Sequence, residues 1–311
     1  MDIKAVFNIL GEVIYTICGL VAIGTAIRGL KNEKKRIGTF LFWGIVGAIF
    51  ILGKHIPYKV TGGLIVILAV ITLSRQTSIG KFKEIPFEFR KAKAKLFGNK
   101  IFIPALLIGV LSFLFLQFKI AGSKVPTAVG LGLASIVAFI VAFLMFKPNV
   151  KENYEDTNKM LMQVGPSVLL PQLLTGLGAV FTSAGIGTLI SQMFSSVIPE
   201  NNLFIAVVIY CLSMAIFTMI MGNGFAAFSV ITTGLAVPFL LAKGASIPVI
   251  GALGMTAGFC GTLMTPMAAN FNIVSAAVLE TKSSNTVIKS QVFVAIPLLI
   301  IHIALMYFLA F

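Results

Sequence analysis

Residues 203–242 read LFIAVVIYCLSMAIFTMIM, then GNG, then FAAFSVITTGLAVPFLLA, forty positions without a single Asp, Glu, Lys or Arg. About 20 apolar residues at 1.5 Å rise cross ~30 Å of hydrocarbon, so this stretch has the length of two membrane spans meeting at Gly222-Asn223-Gly224. Apolar runs recur on both sides of it. The candidates are Ala5 to Ile27, Ile37 to Leu52, Tyr58 to Leu73, Ile101 to Phe118, Pro126 to Phe146 and Met160 to Ile198. Beyond the first stretch lie Ile247 to Met264, Pro266 to Leu279 and Val287 to Phe311. Backbone amides facing lipid must be satisfied within their own segment, which requires helices. No run alternates with period two, which excludes an outer-membrane barrel. The expected fold is an all-α polytopic membrane protein of about ten transmembrane helices, with re-entrant or discontinuous helices in its C-terminal half.

Composition agrees with this reading. The chain is 58% hydrophobic and 11% charged, against roughly 25% charged residues in a soluble domain. The net charge of +14 does not point to nucleic acid, because the cations cluster in short gaps between apolar runs. Five basic residues (Arg28, Lys31, Lys34, Lys35, Arg36) follow the first run, two the second, eight (Arg75 to Lys100) the third and two (Lys119, Lys124) the fourth. That alternation predicts cytoplasmic first, third and fifth loops and an N-terminus outside a bacterial cytoplasmic membrane, with the cations beside anionic lipid. The N-terminus lacks the n-region and cleavage site of a signal peptide, and its first run is long enough to be a retained span. Cys18, Cys211 and Cys260 have neither disulfide nor zinc spacing.

The chain changes character near residue 160. Of its 34 charged residues (24 basic and 10 acidic), five lie beyond that point: Glu200, Lys243, Glu280, Lys282 and Lys289. Residues 1–160 are expected to form a transmembrane scaffold with basic loops. Residues 161–311 are expected to form a transport region, within one membrane domain. Small-solute carriers bind where helices break inside the bilayer and expose backbone donors and acceptors.

Three places read that way. In the first, Pro166 opens a helix that stops at Thr182 to Gly187, which puts Ser183 and Gly185 at the break; a kinked packing pair is the plainer alternative. The second is Gly222-Asn223-Gly224, either an intramembrane site or a surface turn. The third is Thr265-Pro266, with Thr265 as the expected N-cap of a helix starting at Pro266. Asn270 and Asn272 would lie a turn further in, contacting solute or holding helices together. Glu12 and His302 are weaker candidates, each read as an interface or packing residue. No metal site, cofactor motif or nucleophile with an adjacent base is present: the apolar runs contain one His and no Asp, so an enzyme is not expected.

The string from Gly258 through Thr265-Pro266-Met267-Ala268-Ala269-Asn270-Phe271-Asn272 to Val274 resembles the signature of a bacterial membrane family catalogued as domain of unknown function 979. The end of the chain, with Val287-Ile288-Lys289, Gln291 and Leu305 to Leu309, is similar as well. Members are often labelled as one subunit of a two-component 5-oxoproline transporter that pairs with a second small membrane protein. The broken-helix organisation also resembles the wider ion-transporter superfamily, in whose carboxylate carriers an Asn beside small residues at a break contacts substrate or sodium. The resemblance implies such parts for Asn223, ahead of Ala226 and Ala227, and for Asn270. Neither break here carries a Ser-Asn-Thr triplet, which leaves sodium and proton both open as the coupling ion.

Overall fold

The computed structural model describes residues 3–82, 86–120, 122–199 and 202–311. Lys83 and Glu200, counted in the charge pattern, and the side chains of Pro171 and Gln172 lie outside the described parts. The chain divides into two compact units, Met1–Met162 and Gln163–Phe311.

In the first unit, α1 (Ile3–Gly29) and α2 (Arg36–Leu52) pack through Gly19 and Gly47, where a methyl on either would fall 2.9 Å from the other's carbonyl oxygen. Glycines let helices approach closely where no hydrophobic effect drives them together. Then come α3 (Tyr58–Leu73), α4 (Phe87–Phe97) and α5 (Ile103–Gln117). A two-residue antiparallel hairpin, Lys119–Ile120 with Ser123–Lys124, leads into α6 (Thr127–Phe146). Gly11 faces Val129 and Ile14 faces Gly132, so α1 and α6 run parallel and end on the same side. Helix α7 (Val150–Val164) fastens that end, with the Tyr154 hydroxyl donating to the Gly24 carbonyl at 3.2 Å and Glu155 paired with Arg28 at 2.9 Å.

The second unit holds α8 (Leu170–Ser183), α9 (Ile186–Ser195), α10 (Leu203–Met221), α11 (Gly224–Ile231), α12 (Val237–Phe239), α13 (Ile247–Thr262), α14 (Ile273–Val278) and α15 (Thr286–Ala310). Between α11 and α12 the backbone makes a π-helical turn, Thr232–Ala236. Its core centres on Tyr210, Cys211, Met214, Ile231, Leu235, Ile250 and Met306. Gly254, Gly258 and Gly261 face Tyr210, Met214 and Ala215 in turn, so α10 and α13 lie parallel with their C-terminal ends together.

Among the described residues six helices are long and apolar enough to cross a membrane, compatible with a multi-pass membrane protein. They are Ile3–Gly29, Phe87–Gln117, Thr127–Phe146, Leu203–Met221, Gly224–Lys243 and Thr286–Ala310. A seventh span arises if the pair Gly176–Ser183 and Ile186–Ser195, bent by 63°, counts as one. Two sequence expectations need correction. The segment Pro266 to Leu279 is not a span, because only Ile273–Val278 in it is helical. The stretch before Lys100, read as loop, contains helix α4.

Candidate functional site

The three breaks fall into two groups. At the first, α10 ends at Gly222, whose left-handed backbone (φ +64°) lets its N–H return to the Thr218 carbonyl at 2.7 Å. Glycine takes this conformation without steric cost. Asn223 then caps α11, its side-chain oxygen accepting the N–H groups of Phe225 (3.0 Å) and Ala226 (3.3 Å). The Tyr210 hydroxyl lies 2.9 Å from that of Thr232. Residues 12 before and 10 after Gly222 thus meet, so α11 folds back along α10. Gly222-Asn223 is the tip of a helical hairpin whose first arm, 19 residues, is roughly 28 Å long.

Beside this tip lies the segment after α13. No helix starts at Pro266. The Thr265 hydroxyl donates to the Met219 carbonyl at 2.8 Å and accepts the Met267 N–H at 3.2 Å. The Asn272 amide, fully buried, donates to the Thr262 carbonyl at 2.7 Å and the Thr265 carbonyl at 2.6 Å. Side chains that bond nearby backbone compete with helix formation; here they tie residues 263–272 into a compact loop and postpone the helix to Ile273. Two oxygens at this end, Asn272 Oδ1 and Thr218 Oγ1, are buried without a partner. Asn270 is exposed on the same loop, and no hydrogen bond engages its amide among the described residues.

Ser183 and Gly185 belong to a different place. Ser183 is exposed and donates to the Ala179 carbonyl at 2.9 Å, while Gly185 is left-handed and precedes α9 with no side chain capping that helix. A methyl on Gly234 would fall 2.5 Å from the Gly187 carbonyl oxygen, and one on Gly187 would lie 3.2 Å from that of Val230. The bend after Ser183 therefore rests on the π-helical turn of α11, seven to eleven residues along α11 from Asn223. That separation is roughly 10–17 Å at 1.5 Å per residue, which puts the bend beside the middle of the α10–α11 hairpin.

Two interruptions of regular helix, the α8–α9 bend and the Thr232–Ala236 turn, thus face each other halfway along full-length apolar helices, with Tyr210 bonded to Thr232 behind them. π-Turns inside α-helices recur at functional sites because one residue's hydrogen bond is displaced. The sequence reading missed Tyr210, Thr232 and this turn. Its one signal, Thr232-Thr233-Gly234, sits inside an uninterrupted apolar run.

The weaker candidates have polar partners of their own. His302 Nδ1 is 2.7 Å from the Leu298 carbonyl, and Glu12 lies 3.4 Å from Lys54. Open clefts of about 390 Å³ beside Phe7 and Pro126 and about 630 Å³ beside Phe102 and Leu106 lie in the first unit, and neither touches a break. Among the described residues no three His, Cys, Asp or Glu gather as a metal would require.

The fold is that of a nearly all-α protein whose long apolar helices are compatible with a multi-pass membrane protein. More particularly, the chain belongs to the family described as protein of unknown function (DUF979), which matches residues 12–311. No curated protein and no solved structure matches it significantly.

Proposed function

We propose that this chain is a subunit of a secondary transporter. It moves a small polar solute, a carboxylate such as 5-oxoproline, across the bacterial cytoplasmic membrane by alternating access, without chemistry on the solute. The observation that carries the reading is the α8–α9 bend lying against the π-helical turn of α11 at mid-length. Broken helices at this depth are where carriers hold solutes, and a half-helix N-terminus such as that of α9 attracts a carboxylate. Ser183 and the backbone at Gly185 would meet the solute there. Asn223, Thr265, Asn270 and Asn272 would form its approach at the hairpin tip, where Asn270 has a free amide. A sodium or proton gradient would supply the energy, and a second small membrane subunit would complete the carrier. The bent pair and three shorter apolar helices (Arg36–Leu52, Tyr58–Leu73, Ile247–Thr262) added to the six long ones would give ten membrane-inserted segments, with the N-terminus outside.

The test is uptake of labelled 5-oxoproline and other small carboxylates into proteoliposomes, with and without the second subunit. Ser183→Ala and Asn270→Ala should each lower uptake about tenfold, a loss of ~1.4 kcal/mol of solute interaction, while thermal unfolding stays unchanged. Uptake untouched by both would dispose of the site.

A second reading, an assembly partner that transports nothing, draws on the fact that Asn223, Thr265 and Asn272 bond their own backbone. It expects a stable complex with the second subunit and no uptake under either condition.

A further inference from the structure

Helix α4, FEFRKAKAKLF, carries Arg90, Lys91, Lys93 and Lys95 against one acid, Glu88, and none of its residues is buried. Phe87, Phe89 and Leu96 are 68%, 50% and 70% exposed. At 100° per residue Phe89, Ala92 and Leu96 share one stripe, with Arg90, Lys91 and Lys95 turned away from it. The Lys93 ammonium lies over the rings of Phe89 and Phe97, 5.4 and 5.8 Å from their centroids, on a stem long enough to extend past them.

The C-terminal end of this helix is placed by a contact, and its N-terminal end follows a segment tied to α1. On its N-terminal side the segment ahead of it is pinned to the end of α1. Arg28 donates to the Lys81 carbonyl at 3.2 Å and stacks over Phe82 at 4.6 Å, and Lys81 pairs with Glu33 at 2.9 Å. Four residues separate Phe82 from Phe87, five Cα steps with a reach of at most roughly 18 Å. On its C-terminal side Phe97 packs edge-on against Phe146, the last residue of α6, at 4.9 Å. The parallel helices α1 and α6 end on the same side, so α4 is held where two apolar helices give way to Arg28, Lys31, Lys34 and Lys35. It does not extend the span of α5. Phe87–Gln117 taken together is 31 residues, roughly 46 Å of helix, and Gly98 (φ +50°, ψ −133°) breaks the helical path between the two parts.

We propose that α4 is an in-plane interfacial helix that binds anionic phospholipid: its Phe89–Ala92–Leu96 stripe lies at the acyl boundary, and Arg90, Lys91, Lys93 and Lys95 engage head-group phosphates. An exposed apolar stripe beside four cations has charge complementarity with an anionic lipid surface and with no neutral one. The inference rests on residence in a membrane, and not on transport.

Trp43, buried in α2, is the chain's one tryptophan, so the full chain can be given a single reporter. In a Trp43→Phe background, Phe89→Trp reports on α4 and Val110→Trp reports on exposed α5. Each is reconstituted with equal fractions of acyl-brominated phosphatidylglycerol or phosphatidylcholine. The reporter at 89 should be quenched about threefold more by the anionic lipid, and the reporter at 110 about equally by both. Replacing Arg90, Lys91, Lys93 and Lys95 by Gln should bring the ratio at 89 to about one. Equal quenching at 89 before that replacement, or an unchanged ratio after it, overturns the proposal. Quenching at 110 but not at 89 also overturns it and points to a protein partner over α4. No quenching at 110 removes the membrane reading itself.

Discussion

The two units share close glycine contacts between helices but differ in the bonds that accompany them. In Met1–Met162 several bonds between distant segments gather where α1 ends, Arg28 with Glu155, Lys81 with Glu33, and Asn32 and Thr39 with Ser78, while Lys54 pairs with Glu12 at the other end. Along its length this unit is lightly covered, and none of the apolar window in Phe87–Gln117 is buried. In Gln163–Phe311 the window in α10 is 44% buried, and the joints are close glycine contacts and side-chain bonds to interrupted backbone. Apolar side chains gain nothing from leaving lipid for one another, so association must come from close packing and hydrogen bonds. The first unit spends its charges where water meets the helices. The second, nearly free of charge, must use glycine and the carbonyls of its own breaks. A helix that stops early thus provides a joint, and Asn272 and Thr265 make it by bonding backbone across the break.

The sharpest test of this contrast is a methyl group. Gly261→Ala drives a Cβ into the Ala215 backbone, which has no flexible end to move aside, and should cost about 3 kcal/mol. Gly63→Ala in α3 meets nothing within 4 Å and should change stability by less than about 0.5 kcal/mol. Thermal unfolding in detergent measures both, and equal effects would abolish the distinction. Next in size, Asn272→Ala leaves the Thr262 and Thr265 carbonyls without their donor and should destabilise by about 2–3 kcal/mol. A neutral outcome in the same assay would mean that the 263–272 loop is held some other way. Among the bonded side chains the smaller loss belongs to the first unit. Arg28→Ala removes a guanidinium that is 10% exposed from a carboxylate that is 37% exposed, so water screens the pair and the loss should be about 1 kcal/mol. That difference should shrink in about 1 M salt, whereas the Asn272 and Gly261 effects should not. A salt-independent Arg28 effect would move the cause from charge to packing.

Some of this arrangement was legible in the residues. The break at Gly222-Asn223 could be read because glycine and asparagine are the residues a helix end and a cap require. The one at Ser183 to Gly185 could be read because polar and small residues interrupt an apolar run. The Thr265 region misled, since Thr-Pro is equally the start of a helix and the middle of a turn; a carbonyl 46 residues away, at Met219, decided between them. Helix α4 was hidden because its lysines read as loop, and its boundary position depends on Phe146 and Arg28, far along the chain.

Length, apolarity and the placement of charge determined that this is a chain of long apolar helices compatible with a multi-pass membrane protein, because hydrocarbon imposes one backbone solution on any long uncharged run. Those same features left open which helices are neighbours and how deep each break lies. Only the tertiary structure set the α8–α9 bend against the π-turn of α11 and placed Asn223 at a hairpin tip. Hydropathy has no memory of partner or depth, whereas glycine contacts and single hydrogen bonds between distant residues specify both.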